Sequence, residues 1–146
     1  MANATKLLLR WKEVLFITAS IKLLLLILPV ILNLPEEKLF QPWVKWDGPH
    51  YIDIARNGYQ ISGEQSLFIV FYPLYPIFIK IVSFLTTDFE ISAILVAIFF
   101  SFTASILLFE LILLDFNNKT ALLAVWFLNI FPTAYFLQAS YTESLY

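Results

Sequence analysis

The chain has 146 residues, of which 60% are hydrophobic and 14% charged, against roughly a quarter charged in a soluble domain, so it reads as an integral membrane protein. A net charge of −2 is too small to point to nucleic acid or an anionic surface as partner. With no cysteine and a single histidine, disulfides, thiol chemistry and a histidine-rich metal site are excluded within these residues.

The first thirteen residues carry Lys6, Arg10 and Lys12 against Glu13, and an apolar run of bilayer length follows at 14–34. The basic flank places the N-terminus on the cytoplasmic side, so the chain emerges on the outer face near Pro35. The run is too long for a signal peptide and is followed by no small-residue cleavage site. Lys22 lies inside it and reads as a side chain snorkelling to the inner interface, in preference to a buried functional cation.

Residues 35–66 form a polar external segment, with Trp43 and Trp46 placed as interfacial aromatics. Asp47, His50, Asp53 and Arg56 fall within ten positions of one another here, together with Gly48 and Gly58. Asp47 is a good N-cap and Pro49 is tolerated in a first helical turn. The pattern therefore predicts a short helix over 49–57, stopped at Gly58. Tyr51, Ile54 and Ala55 share an apolar face of that helix, and His50 and Asp53, three apart, share another. By spacing alone Asp47 is either a helix cap held by backbone N–H groups or a functional carboxylate.

Residues 67–85 are just long enough to span, but Pro73 and Pro76 interrupt their start and Lys80 charges their middle, which favours a juxtamembrane or re-entrant element. Thr87-Asp88-Phe89-Glu90 fits a capping box opening a helix, with a span over 91–114. Residues 115–120 form a polar turn in which Thr120 caps the next helix. A span over 121–137 follows, interrupted by Asn129 and Pro132, before polar residues return at 138–144. If 67–85 does not cross, Asp47 and Glu143 stand on the same, external face and Lys119 is cytoplasmic; if it crosses, they are opposed. The first arrangement avoids carrying a twice-broken, charged helix through lipid. The fold class is thus all-α, a polytopic membrane helix bundle, with an external loop carrying a short helix after the first span. The close of the chain at Tyr146, without a polar tail, suggests the N-terminal part of a longer protein.

Three blocks carry a resemblance. Trp46-Asp47-Gly48-Pro49-His50-Tyr51 with Ile54-Ala55 and Gly58-Tyr59, then Phe71-Tyr72-Pro73-Leu74-Tyr75-Pro76, then Tyr141-Thr142-Glu143-Ser144-Leu145 after Phe131-Pro132, resemble in order the blocks of PIG-V-like mannosyltransferases of the GT-C superfamily. The resemblance implies a multi-spanning bundle with its active site at the extracytoplasmic face. It implies a dolichyl or other polyprenyl phosphate mannose as donor, an inverting transfer to an acceptor hydroxyl, and no cofactor or essential metal. Asp47 matches the position of the catalytic base. The membrane would be the cell membrane in a prokaryote and that of the endoplasmic reticulum in a eukaryote. Two departures stand beside it: the family's remaining spans, where further phosphate-holding residues belong, are absent, and a prokaryotic relative need not act on GPI.

Elementary chemistry agrees. A phosphate monoester departs without a general acid, since its second pKa is about 6. What the reaction needs is a base for the acceptor hydroxyl and positive charge for the phosphate. Asp47 supplies the base. His50 and Arg56, and after them Lys80, are the cations able to reach a donor phosphate. Asp53 is an orienting or solvated acid, Glu143 a candidate lining residue, and the 71–76 block an architectural one. A transporter or channel fragment using Asp47, Glu143 and Lys22, or a structural membrane subunit, are the competing classes; a transporter sets its ionisable groups near mid-membrane, where only Lys22 lies.

Overall fold

A computed structural model describes residues 2–36 and 39–145. Residues 37 and 38 of the expected external segment, together with Met1 and the closing Tyr146, lie outside the described residues. Helix α1 (Ala2–Ile31) is followed by α2 (Gly48–Asn57), α3 (Leu74–Thr86), α4 (Phe89–Ile112) and α5 (Asn118–Ile130); short 3-10 turns occupy Gln41–Trp43, Glu64–Val70 and Pro132–Leu137. The architecture is all-α, as expected.

Helices α1, α4 and α5 form an antiparallel bundle. Val14 of α1 packs with Phe109, Ala121 and Val125, while Leu25 and Leu26 pack beside Ile94, so α1 and α4 run in opposite directions. The reason lies in α4, where Ala93, Ala97, Ser101, Ser105 and Phe109 recur every four residues on a buried face. Small side chains at that spacing let neighbouring helices approach closely, the usual basis of packing in lipid. Asn129 of α5 crosses to α4, its Nδ2 donating to Ser105 Oγ at 3.1 Å.

Among the described residues, two helices are long and apolar enough to cross a membrane, Arg10–Ile31 and Phe89–Ile112. At the N-terminal end of the first, Arg10 and Trp11 both bind Glu110 near the end of the second: Arg10 Nη2 lies 2.7 Å from Glu110 Oε2, and Trp11 Nε1 donates to Oε1 at 2.7 Å. That pairing also accounts for an acid near the end of an apolar helix. The cap of α4 is Asp88, not Thr87: its Oδ1 accepts from the N–H groups of Glu90 and Ile91 at 2.7 and 2.9 Å, and Thr87 takes a left-handed conformation before it. Likewise Asn117, not Thr120, caps α5, accepting from Thr120 N–H at 3.0 Å.

The stretch 121–137 is two elements. Helix α5 ends at Ile130 and Pro132 opens a 3-10 turn. At 1.5 Å per residue its 13 residues reach about 20 Å, short of a hydrocarbon core of about 30 Å. The stretch 67–85 is also two elements, the Glu64–Val70 turn and α3 meeting at 109°. Pro73 and Pro76 fall at the cap and first turn of α3, where an N–H has no partner within the helix, so they open the helix instead of breaking it.

Lys22 does not snorkel. It is 2% exposed, on the same face of α1 as the buried Val14 and Thr18. Opposing Val14 to Phe109 in an antiparallel pair sets Lys22 level with Ser101. No described group hydrogen-bonds its Nζ, nor the hydroxyls of Thr18 and Ser101.

Candidate active site

The loop after α1 is clamped by the segment after α5. The Gln41–Trp43 turn, with Pro42 in it, buries the Trp43 ring, which stacks on Tyr135 at 5.4 Å between centroids. Ser140 donates to the Trp43 carbonyl twice, from N–H at 2.8 Å and from Oγ at 2.9 Å. Tyr135 hydroxyl donates to the Pro42 carbonyl, and Tyr141 hydroxyl to that of Lys45 at 2.7 Å. Four backbone carbonyl contacts thus tie residues 42–45 to residues 135–141, nearly a hundred positions away in sequence. Burying Trp43 corrects its expected place at a membrane interface; Trp46 is the exposed one of the pair.

Beyond the clamp the chain turns into α2, Gly48 N–H donating to Lys45 O at 2.9 Å. Asp47 occupies the cap position but not the cap role. Its carbonyl accepts from the N–H groups of His50 and Tyr51, while its side chain bonds no helix N–H and stands exposed. The expectation that backbone N–H groups hold its carboxylate is corrected, because Asp47 is in the helical region and not the extended one from which a capping side chain reaches back. The helix stops at Gly58, whose φ of 74° suits glycine, with its N–H bonded to Ile54 O at 2.8 Å.

The buried face of α2 rests on the 71–76 block. Tyr51 meets Phe71 at 5.0 Å and Tyr75 at 5.3 Å, both edge to face, and Ala55 joins Tyr75, Ile79, Ala93 and Val96 in one core. Tyr75 hydroxyl donates to Ala93 O at 2.9 Å, and Tyr59 hydroxyl to Phe71 O at 2.5 Å. Leu145, from the third block, packs against the same core. All three sequence blocks therefore meet around α2.

The polar residues of α2 diverge. His50 packs its ring on Phe68 at 4.6 Å and Phe71 at 5.5 Å. Asp53 instead accepts from Asn57 Nδ2 at 2.8 Å and lines a groove of about 330 Å³ with Gln41, Pro49, Arg56 and Glu90. Three positions apart, the two lie only about 60° from each other around the helix, yet their side chains engage different partners, the aromatic rings for His50 and Asn57 for Asp53. Arg56 is exposed, with its guanidinium carbon 5.1 Å above the Phe89 ring. Lys80 is exposed on α3 and lies outside that groove.

Glu143 is exposed at the rim of an apolar groove of about 420 Å³ built from Phe127, Phe131, Phe136 and Leu137. It and Asp47 converge electrostatically on Tyr141. That hydroxyl is pushed up to about 12, first by burial and then by Tyr135, Asp47 and Glu143, against the opposing Asp47 N–H. Burial also raises Tyr135. Sequence reasoning placed Tyr141 in a block but gave it no task, and passed over Ser140 altogether. The available signal was Gly48: a glycine beside a proline reads as a turn, and here it also admits Ser140.

The family model described as Mannosyltransferase (PIG-V) matches residues 11–146. GPI mannosyltransferase 2 of Schizosaccharomyces pombe is 30% identical over 112 residues, which are 74% of this chain and 23% of that relative. The chain thus spans less than a quarter of the length of the curated relative it matches. No solved structure matches it. The family match takes in both jaws of the clamp and the helices that carry them, and on that ground the chain belongs to the PIG-V mannosyltransferase family.

Proposed function

We propose that this chain carries the catalytic face of a multi-pass glycosyltransferase. The enzyme transfers mannose from a dolichyl or other polyprenyl phosphate to an acceptor hydroxyl at the extracytoplasmic side of the membrane, with inversion and with Asp47 as base. One observation carries the reading most: the carboxylate of Asp47 stands free at the mouth of a rigidly clamped turn, unspent on the helix it precedes. An aspartate that only capped α2 would give that freedom up.

The direction of the chain supports the sidedness. With α1 leaving the cytoplasm, α4 returning and α5 rising again, Asp47 and Glu143 share one end of the bundle and the Asn117–Lys119 turn lies at the other, beside Arg10. A bend of 109° within residues 64–86 fits a re-entrant segment at the loop end, which this sidedness requires. In this site Asp47 takes the acceptor proton, Glu143 shares with it the electrostatic surroundings of Tyr141, and the apolar groove that Glu143 lines suits a prenyl chain. His50 and Arg56 supply positive charge toward the phosphate, though both are partly engaged with aromatic rings, and Lys80 stands further off on α3.

The test is transfer. Membranes holding the full-length protein should incorporate label from polyprenyl phosphate mannose into an acceptor, and not directly from a sugar nucleotide. Incorporation from the sugar nucleotide when synthesis of the lipid-linked donor is blocked would refute the donor class.

A further inference from the structure

The residue immediately before Asp47 is under conformational strain. Trp46 has φ of +47°, a left-handed conformation that a bulky L-residue rarely adopts. Despite its size it is 66% exposed. Three aromatic rings surround it: Tyr135 at 6.4 Å edge to face, Phe136 at 6.1 Å and Tyr141 at 6.2 Å, both tilted. Two of these, Tyr135 and Tyr141, are themselves fixed to the clamp by hydroxyl bonds to backbone carbonyls. The indole is therefore held in place without being buried.

Core packing does not account for this arrangement, since most of the indole surface remains outside. Anchoring at a membrane interface does not require it either, because a tryptophan in ordinary extended or helical backbone serves that purpose without strain. Strain of this kind persists where the surroundings enforce it, and it clusters at ligand-binding positions. Here the surroundings are the clamp, and the neighbouring residue is Asp47.

We infer that Trp46 is a sugar platform: its exposed indole stacks on the apolar C–H face of a pyranose ring and sets that ring beside the Asp47 carboxylate. The inference rests on the mannosyl-transfer reading for its role in turnover, but sugar contact itself does not depend on it. The ring is either the donor mannose or the acceptor sugar, which share this apolar face. Trp46 is then a positioning residue that holds the sugar while Asp47 handles the proton.

The experiment uses the full-length protein in detergent and compares wild type with Trp46→Phe, so that the difference in indole emission reports Trp46. Methyl α-mannopyranoside and polyprenyl phosphate mannose are tested as shields against acrylamide quenching of that difference signal. Shielding by the lipid-linked sugar alone assigns the donor ring, and further shielding by the methyl glycoside when the lipid-linked sugar is already saturating assigns the acceptor side. Shielding by neither overturns the platform, as does quenching by brominated lipid with both sugars inert. In transfer assays Trp46→Leu should raise KM for the assigned sugar about tenfold, with Trp46→Phe recovering most of the loss. Trp46→Gly, which relieves the left-handed backbone, should keep or raise the thermal midpoint and still lose kcat/KM. Unchanged kinetics in Trp46→Leu would overturn the platform while leaving mannosyl transfer intact. Sugar shielding without any transfer by wild type would instead leave the platform standing and remove the transfer reading.

Discussion

Gly48 lies so close to Ser140 that no side chain fits between them. A Cβ on Gly48 would collide with Ser140 Oγ and come within 3.2 Å of the Ser140 carbonyl oxygen. The contact joins the start of α2, beside Asp47, to the segment that carries Tyr141 and Glu143.

Gly48→Ala should therefore cost about 1–3 kcal/mol through overpacking and lower transfer activity well beyond that loss of stability. Adding Ser140→Gly removes the Oγ and Cβ contacts but not the backbone one, so the double variant should recover part of both. Thermal midpoints and activities of the two single variants and the double variant form the cycle that measures the coupling. Additive losses would mean the contact is incidental.

A second expectation concerns sidedness. Cysteines placed one at a time at Gln60, Asn118 and Glu143, in a cysteine-free background, should be labelled by an impermeant reagent in intact cells at 60 and 143 but not at 118. All three positions are exposed, whereas Ser144 is buried and would report poorly. Labelling at 118 with none at 143 would show that residues 64–86 cross the bilayer and that Glu143 cannot join Asp47.

Tyr141 links pH to the clamp. Its folded-state hydroxyl is raised to about 12 from an ordinary value near 10, chiefly by burial, so the folded state holds the proton more tightly than the unfolded one. The stabilisation is complete below about pH 10 and is lost as pH rises from there toward 12. Thermal midpoints of wild type should fall across that window more steeply than those of Tyr141→Phe. The phenylalanine variant also loses the bond to Lys45 O, about 1 kcal/mol, at every pH. Parallel curves for the two proteins would exclude Tyr141 as the linked group.

Much of the local structure was legible because it depends on neighbours in sequence. The stop of α2 at Gly58 follows from a left-handed requirement, and its buried face from the spacing of Tyr51 and Ala55. The membrane bundle follows from two long apolar runs, and the family from three ordered blocks. What escaped the sequence depends on contacts between distant segments. Lys22 reads as a snorkelling side chain until Val14 is set against Phe109, which turns that face of α1 inward. The side chain of Asp47 reads as a cap until the clamp holds residues 42–45 and leaves Asp47 in helical backbone. Ser140 carries no chemical signature of its own; only the absence of a side chain at Gly48, nearly a hundred residues earlier, hints at it.

The central claim is that Asp47 is the base, and substitution by asparagine tests it most directly. Because the Asp47 side chain makes no capping bond, Asp47→Asn leaves the fold of α2 and the clamp without a lost contact. Asp53→Asn removes one negative charge a few residues away, within α2, and keeps an acceptor for Asn57, so it is the matched control. Transfer from polyprenyl phosphate mannose is measured for both in membranes matched for protein level. Asp47→Asn should lower the rate by about a hundred- to ten-thousand-fold, the usual worth of a positioned general base, while Asp53→Asn stays far closer to wild type. Wild-type turnover in Asp47→Asn, or a comparable collapse in Asp53→Asn alone, would contradict the assignment.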